Sequence, residues 1–359
     1  MRYHRKTKGR GAATNPKSRF SMHRVESLDD GWTRELEELP ALRTTVRAER
    51  ARSIISRNGS PDVPFEQSIN PYRGCEHGCV YCFARPSHSY LDLSPGLDFE
   101  TRLFHKENAV ELLEAELRKP GYHCRPIVLG INTDAYQPIE RELRLTRRLL
   151  ELLVEYRHPV SILTKGVTIL RDLDVLSDLA RDNLVSVSVS ITTLDNDLKR
   201  TLEPRTASPN ARLRILSELR DIDIHPGVMF APVIPAINDR EIEAILKASA
   251  DAGATRAGYV VLRLPHELKD LFREWLGAHY PERADHVMSL VRQLHGGHDY
   301  DPTWGRRQTG AGQVAELIAN RFRVARRRHG LDRDDRPPLN TELFRAPTRS
   351  GDQMGLWTE

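Results

Sequence analysis

Three of the four cysteines in this sequence fall within eight positions, Cys75-Glu76-His77-Gly78-Cys79-Val80-Tyr81-Cys82. Thiols this crowded suit metal ligation in a reducing compartment better than a disulfide framework. Cys124 is left over. Two metal chemistries fit the spacing. A four-iron cluster held by three thiolates keeps one iron open to a cofactor or substrate, and openness is what catalysis requires. A zinc ion needs a fourth ligand, for which His77 and His88 are at hand. Zinc sites, however, pair two arms of Cys or His, and the sequence holds no second arm.

The trio directly follows an apolar run at 67–72, the first of six short, β-branched segments read as strands: 67–72, 127–132, 160–163, 185–191, 227–232 and 258–262. Helical spacing fills the intervals at 108–118, 140–156, 168–180, 210–219 and 240–252. Ser208 stands as N-cap and Pro209 at the first helical position of the fourth, and Gly253 ends the fifth. A β, α alternation of this kind implies a parallel sheet with right-handed crossovers, able to curl into a barrel or part of one, with functional loops at the C-terminal ends of the strands. The cysteines therefore belong to a strand-end loop. Beyond Leu264 the pattern turns helical, at 267–278, 284–294 and 312–328.

The 359 residues suffice for a substantial core. Hydrophobic residues at 39% and charged residues at 29% give a soluble, globular balance, and no apolar run approaches the roughly 20 residues of a membrane span. No membrane partner is expected. Residues 1–24 carry Arg2, Arg5, Lys6, Lys8, Arg10, Lys17, Arg19 and Arg24 without an apolar stretch, so they do not read as a secretory signal, and the cytoplasm is the expected compartment. A second basic cluster, Arg321, Arg323, Arg326, Arg327 and Arg328, lies near the other end. Basic arms neutralise phosphates in nucleic-acid binders, although a solvated arm is the plainer reading. The organisation read from these shifts is a basic extension at 1–50 with at most a short helix near 33–39, a barrel at 51–300, a helical segment at 301–335 and a loosely ordered tail at 336–359.

With Tyr81 before the last cysteine, the trio resembles the signature of the radical S-adenosylmethionine superfamily, in which three cysteines are separated by three and two residues and an aromatic precedes the third. The likeness spans about 67–331 and is similar to the branch named for spore photoproduct lyase. It is carried by Asn70-Pro71-Tyr72-Arg73-Gly74, the run from Asn132 to Glu140, Ile162-Leu163-Thr164-Lys165, Ser186 to Ser190, and Glu203-Pro204-Arg205. What the resemblance implies is an α/β fold, a partial (β/α)6 TIM-like barrel with a helical C-terminal extension. It further implies a [4Fe-4S] cluster on Cys75, Cys79 and Cys82, with S-adenosylmethionine on the open iron. One-electron reduction, drawn from an external donor such as flavodoxin or ferredoxin, would release a 5′-deoxyadenosyl radical, the cofactors supplying the difficult chemistry.

By the same resemblance Tyr81, Thr133, Lys165, Ser188, Ser190 and Arg205 are the expected contacts to S-adenosylmethionine. Lys165 could pair its ammonium with the cofactor's carboxylate, and Arg205 could do so with a bidentate fork. Asp134 and Glu140 are further acceptors for ribose or amine. In spore photoproduct lyase a cysteine near the end of the second strand returns hydrogen to the product radical; the corresponding position here is Asn132, which cannot. Cys124 lies eight residues earlier, roughly 26 Å away at about 3.3 Å per residue, so photoproduct repair is not the expected reaction. His88, Tyr90 and Asp92 are loop residues that could face substrate, and Gly296-Gly297 with Gly305 to Gly310 could close over the barrel or bind phosphate. Nucleic acid ranks first as substrate, a peptide or small metabolite next. The competing class is a non-enzymatic metal protein, either a zinc-stabilised nucleic-acid-binding module or an iron–sulfur redox sensor.

Overall fold

The computed structural model describes residues 9–20, 42–332 and 337–347. Ten strands are present among them: β1 (Thr45–Glu49), β2 (Ile55–Arg57), β3 (Gln67–Ile69), β4 (Tyr72–Arg73), β5 (Arg102–Lys106), β6 (Ile127–Leu129), β7 (Val160–Thr164), β8 (Val185–Ser190), β9 (Gly227–Val233) and β10 (Arg256–Val261). Six of these, β3 and β6 to β10, pair in parallel in the order of the chain, and β2 adds an antiparallel edge beside β3. Strands that succeed one another in space as in sequence, each returned by a helix, build an open (β/α)6 partial barrel.

Alternation along the strands decides which side chains face the helices. Val185, Val187 and Val189 are buried outward, while Ser186, Ser188 and Ser190 line the inner face of β8. The ladder register sets Ser188 opposite Gly227, and Gly227 opposite Arg256, in one row across three strands. Outside the sheet pack helices Ala109–Leu117, Leu145–Glu155, Leu173–Arg181, Pro209–Asp221 and Ile242–Asp251, whose buried leucines and isoleucines form one continuous core with the strands. Ser208 caps the fourth of these, its Oγ accepting from Ala211 N at 3.3 Å.

The structure differs from the sequence reading in three places. The helix expected at 140–156 is two, Glu140–Leu143 and Leu145–Glu155, broken at Arg144 in the left-handed region (φ 50°). The break turns Glu140 inward, where its carboxylate accepts from Thr146 N at 3.0 Å and so caps the second helix. The strands expected at 67–72 and 127–132 stop at Ile69 and Leu129; Gly130 (φ 91°) packs against the carbonyl of Leu163 where no Cβ could fit, turning the chain out of the ladder. A second small sheet, β1-β5-β4, was not expected at all.

Two described segments, 9–20 and 337–347, are also more engaged than their composition suggests. Residues 9–20, read above as part of a basic extension, lie against the cysteine loop and its neighbours. Residues 337–347, read as a loosely ordered tail, dock through Asn340 N to Asn183 O, Arg345 N to Tyr156 O and the Phe344 ring against His158 and Tyr122. The short helix expected near 33–39 lies outside the described residues. Among the described residues no helix is long and apolar enough to cross a membrane.

Candidate cluster and cofactor site

The chain leaves β4 through Gly74, whose φ of 74° and tight packing against Leu103 and Phe99 leave no room for a side chain. The cysteine loop beyond it is pinned at its backbone. Cys75 N donates to Phe99 O at 3.0 Å. Gln137, fully buried, accepts from Glu76 N at 2.9 Å and donates to Gly74 O at 3.2 Å. Beneath the loop Arg85 donates to the carbonyls of Cys79 (2.8 Å) and Gly78 (3.1 Å) and pairs with Glu100 at 2.5 Å, both side chains wholly buried. With the backbone groups so occupied, the thiols of Cys75, Cys79 and Cys82 remain free, the first two buried and the third half-buried.

Burial raises the pKa of all three, that of Cys79 to about 12, with Glu203 adding to the rise at Cys79 and Asp134 at Cys75. Cys79 and Cys82 also raise Cys75, as neighbouring like charges do. Such thiols give up their protons when a metal takes their place. The donor set fits a multi-iron cluster, whose ligands are spread over separate irons. A single zinc ion would need a fourth ligand beside the three thiols. Among the described residues no group of three or more His, Cys, Asp or Glu side chains is arranged to hold one metal ion. Both candidate imidazoles are engaged elsewhere, His77 Nδ1 with Asp134 at 3.4 Å and His88 Nε2 with Arg102 O at 3.0 Å.

Beside the loop lies a buried polar network that draws on the C-terminal ends of β7, β8 and β9. Lys165 Nζ, just past β7, donates to Ser190 Oγ (2.6 Å), Thr192 Oγ1 (3.3 Å) and Ala231 O (3.3 Å), and sits 5.5 Å from the Tyr81 ring centre. Its counter-charge is Glu203, 3.2 Å away and fully buried, which also accepts from Arg212, Tyr81 and Thr192. Burial opposes ionisation of Glu203, but Arg212 and Lys165 outweigh it and hold the carboxyl below its usual range. Tyr81, Lys165 and Ser190 are thus brought together next to Cys79.

The other expected contacts are more dispersed. Thr133 is buried, its hydroxyl donating to Tyr72 O at 3.3 Å. Ser188 lies further down β8, within 3.5 Å of Arg256. Arg205 pairs with Glu76 at 2.7 Å on the flank of the cysteine loop. Asp134 accepts from Thr164 Oγ1 and Lys165 N, both at 2.7 Å, and Glu140 accepts from Tyr72, Arg171 and the backbone at the start of the second helix. His88 is buried against Phe99 rather than facing a substrate, and Asp92 closes a short 3-10 helix at Arg85–Leu91 in the left-handed region. Asn132 follows β6 while Cys124 precedes it, as expected. The Gly305–Gly310 connection is tethered to the fold: Gln308 O accepts from Val261 N on the edge of β10, and Arg307 grips Asp62 at 2.7 Å near β2.

Sequence reasoning missed Glu203, Gln137 and the Arg85–Glu100 pair. Within Glu203-Pro204-Arg205, the inward-facing member is selected by Arg212, whose partnership with Glu203 is invisible until helix Pro209–Asp221 is placed.

Known proteins resemble this chain in sequence and in fold. The sequence profile of the Radical SAM superfamily matches residues 69–248. An uncharacterized protein of Mycobacterium tuberculosis is 37% identical over 291 residues, 80% of this chain and 82% of that protein. An uncharacterized protein of Methanocaldococcus jannaschii is 30% identical over 173 residues, 48% of this chain and 62% of its own length. Among solved structures, spore photoproduct lyase complexed with dinucleoside spore photoproduct superposes with a TM-score of 0.56 at 15% identity, covering 79% of both chains. A mutant of the same lyase with bound AdoMet and the dinucleoside spore photoproduct gives 0.54 at 15% identity over 79% of this chain and 78% of the other. At these identities the likeness is one of fold.

Proposed function

Because the chain belongs to the radical SAM superfamily, we propose that it is an enzyme that holds a [4Fe-4S] cluster on Cys75, Cys79 and Cys82 and uses S-adenosylmethionine to start a radical reaction on nucleic acid. The observation that carries this reading is the set of three free thiols on one pinned loop, set beside the Lys165–Glu203 network at the strand ends. When bound, the cluster and S-adenosylmethionine supply a 5′-deoxyadenosyl radical by one-electron reduction, the electron coming from a flavodoxin or ferredoxin.

The chain's own residues bind, orient and exclude water. Arg85, Glu100 and Gln137 fix the backbone of the loop that carries the thiols. In this reading Tyr81, Lys165 and Ser190, which meet in one buried network, are the first contacts to S-adenosylmethionine, with Thr133, Ser188 and Arg205 as further ones. Lys165 is already neutralised by Glu203, so it presents hydrogen-bond donors without an uncompensated buried charge. Nucleic acid is favoured as substrate by the arginines of the C-terminal helix that stay exposed, Arg323, Arg327 and Arg328, although Arg321 is committed to Glu243.

The test is anaerobic reconstitution and then reduction with dithionite. Wild-type protein is expected to gain about four irons and sulfides per chain and to form 5′-deoxyadenosine, and Cys79→Ala to lose both. A wild type that forms no 5′-deoxyadenosine, with cluster content unaffected by Cys79→Ala, refutes the reading. One zinc per chain with no iron would favour the nucleic-acid-binding module instead.

A further inference from the structure

Phe83, the residue after Cys82, leaves 40% of its surface exposed. What lies over it is Arg263, just past β10, whose Cζ is 4.9 Å from the ring centre. The only hydrogen bond formed by the Arg263 side chain among the described residues is a long one to Tyr300 Oη, 3.4 Å, and Nε is buried with no partner. No described carboxylate forms an ion pair with it. The contrast with its surroundings is informative. Arg19, which stacks on Phe20 and on the exposed Tyr90, is matched by Glu267 at 3.0 Å, and Arg307 is matched by Asp62. Arg263 alone among these stacked or mouth-side arginines keeps its guanidinium uncompensated.

We propose that Phe83 and Arg263 form a subsite for one unstacked nucleotide of a single-stranded nucleic acid, the ring receiving the base and the guanidinium its phosphate. The chemistry fits: the exposed part of a ring already stacked on a guanidinium accepts any base by stacking, while the planar fork takes a phosphate through two parallel hydrogen bonds. The place is apt, since Phe83 is covalently next to a cluster cysteine and Arg263 follows the last strand of the barrel, so a base held there stands at the mouth of the site. An acidic protein partner would call for a broad basic face; here the cation is single and coupled to a ring. The inference rests on the nucleic-acid reading above.

The test is the anisotropy of a short fluorescein-labelled single-stranded oligodeoxynucleotide with reconstituted protein, with iron content checked for every variant. Wild type should bind with salt-dependent affinity; Phe83→Ala and Arg263→Gln should each weaken binding about tenfold or more, Phe83→Trp should retain it, and Arg263→Gln should lower the salt slope by about one. If wild type does not bind the oligonucleotide, the nucleic-acid reading falls and takes the subsite with it. If wild type binds and both variants bind equally well, the subsite alone is wrong. A Phe83→Ala protein that loses affinity for S-adenosylmethionine but not for the oligonucleotide would assign the ring to the cofactor and likewise overturn the proposal.

Discussion

Gly11 lies directly on Gly78, so that a Cβ on Gly11 would collide with the Gly78 carbonyl oxygen in the middle of the cysteine loop. The contact is secured by Glu100, which accepts from Gly11 N at 3.0 Å and Ala12 N at 2.8 Å while holding Arg85 on its other side. One carboxylate thus ties the loop from below and a strap, residues 9–20, from above. Gly11→Val should lift the strap without touching a thiol. The expected outcome is a reconstituted cluster that bleaches several-fold faster in air, monitored by its visible absorbance; equal bleaching would show that the strap does not shield it.

Glu203 and Arg212 form a pair at no more than 1% side-chain exposure, and Lys165 leans on the same carboxylate. Removing one member of such a pair leaves a buried charge unmatched, which costs about 3–5 kcal/mol. Glu203→Gln is expected to lose stability on that scale in urea denaturation, and combining it with Arg212→Met should recover part of the loss. A single substitution as stable as wild type would mean that water reaches the pair.

The two edge strands of the main sheet are β2 and β10, and the 303–309 connection spans between them through Gln308 and Arg307. Arg307→Gln should free this connection from the hairpin at Asp62. Hydrogen exchange is the measure: faster exchange at 303–310 and 58–66 is expected, with β8 unchanged, whereas uniform protection would show that Val261 alone holds the connection.

His158 is buried between Tyr122 and Phe344, and burial lowers its pKa to about 4. The folded protein therefore keeps the ring neutral while the unfolded chain takes up a proton below the usual value near 6.5. Stability should fall as the pH drops from about 6.5 to about 4 and level off below, by about 3 kcal/mol from this group at 1.36 kcal/mol per unit. His88 and His295 are lowered by burial too and act with the same sign. Melting curves of wild type and His158→Gln at pH 7 and pH 5 check this; the variant should lose less on acidification.

The parallel strands were legible because burial on the helix side writes valine and isoleucine at every second position, and four of the six end within two residues of the expected bounds. The small β1-β5-β4 sheet was not, because Thr45–Glu49 is exposed along most of its length and shows no buried face to read. The cysteine trio announced itself by spacing alone. Its supports did not: Glu100 and Arg85 lie fifteen positions apart in a stretch without regular periodicity, and only the folded chain reveals that they neutralise each other at no exposure.

Thr14 bonds to Glu274 at 2.7 Å across 260 positions of sequence. The strap is thus tied twice, to Glu100 close to the cysteines in sequence and to Glu274 on the helix Leu268–His279 far along the chain. Chains are made from the N-terminus onward, so the first tie can form early in synthesis, whereas the second must wait until residue 274 has left the ribosome.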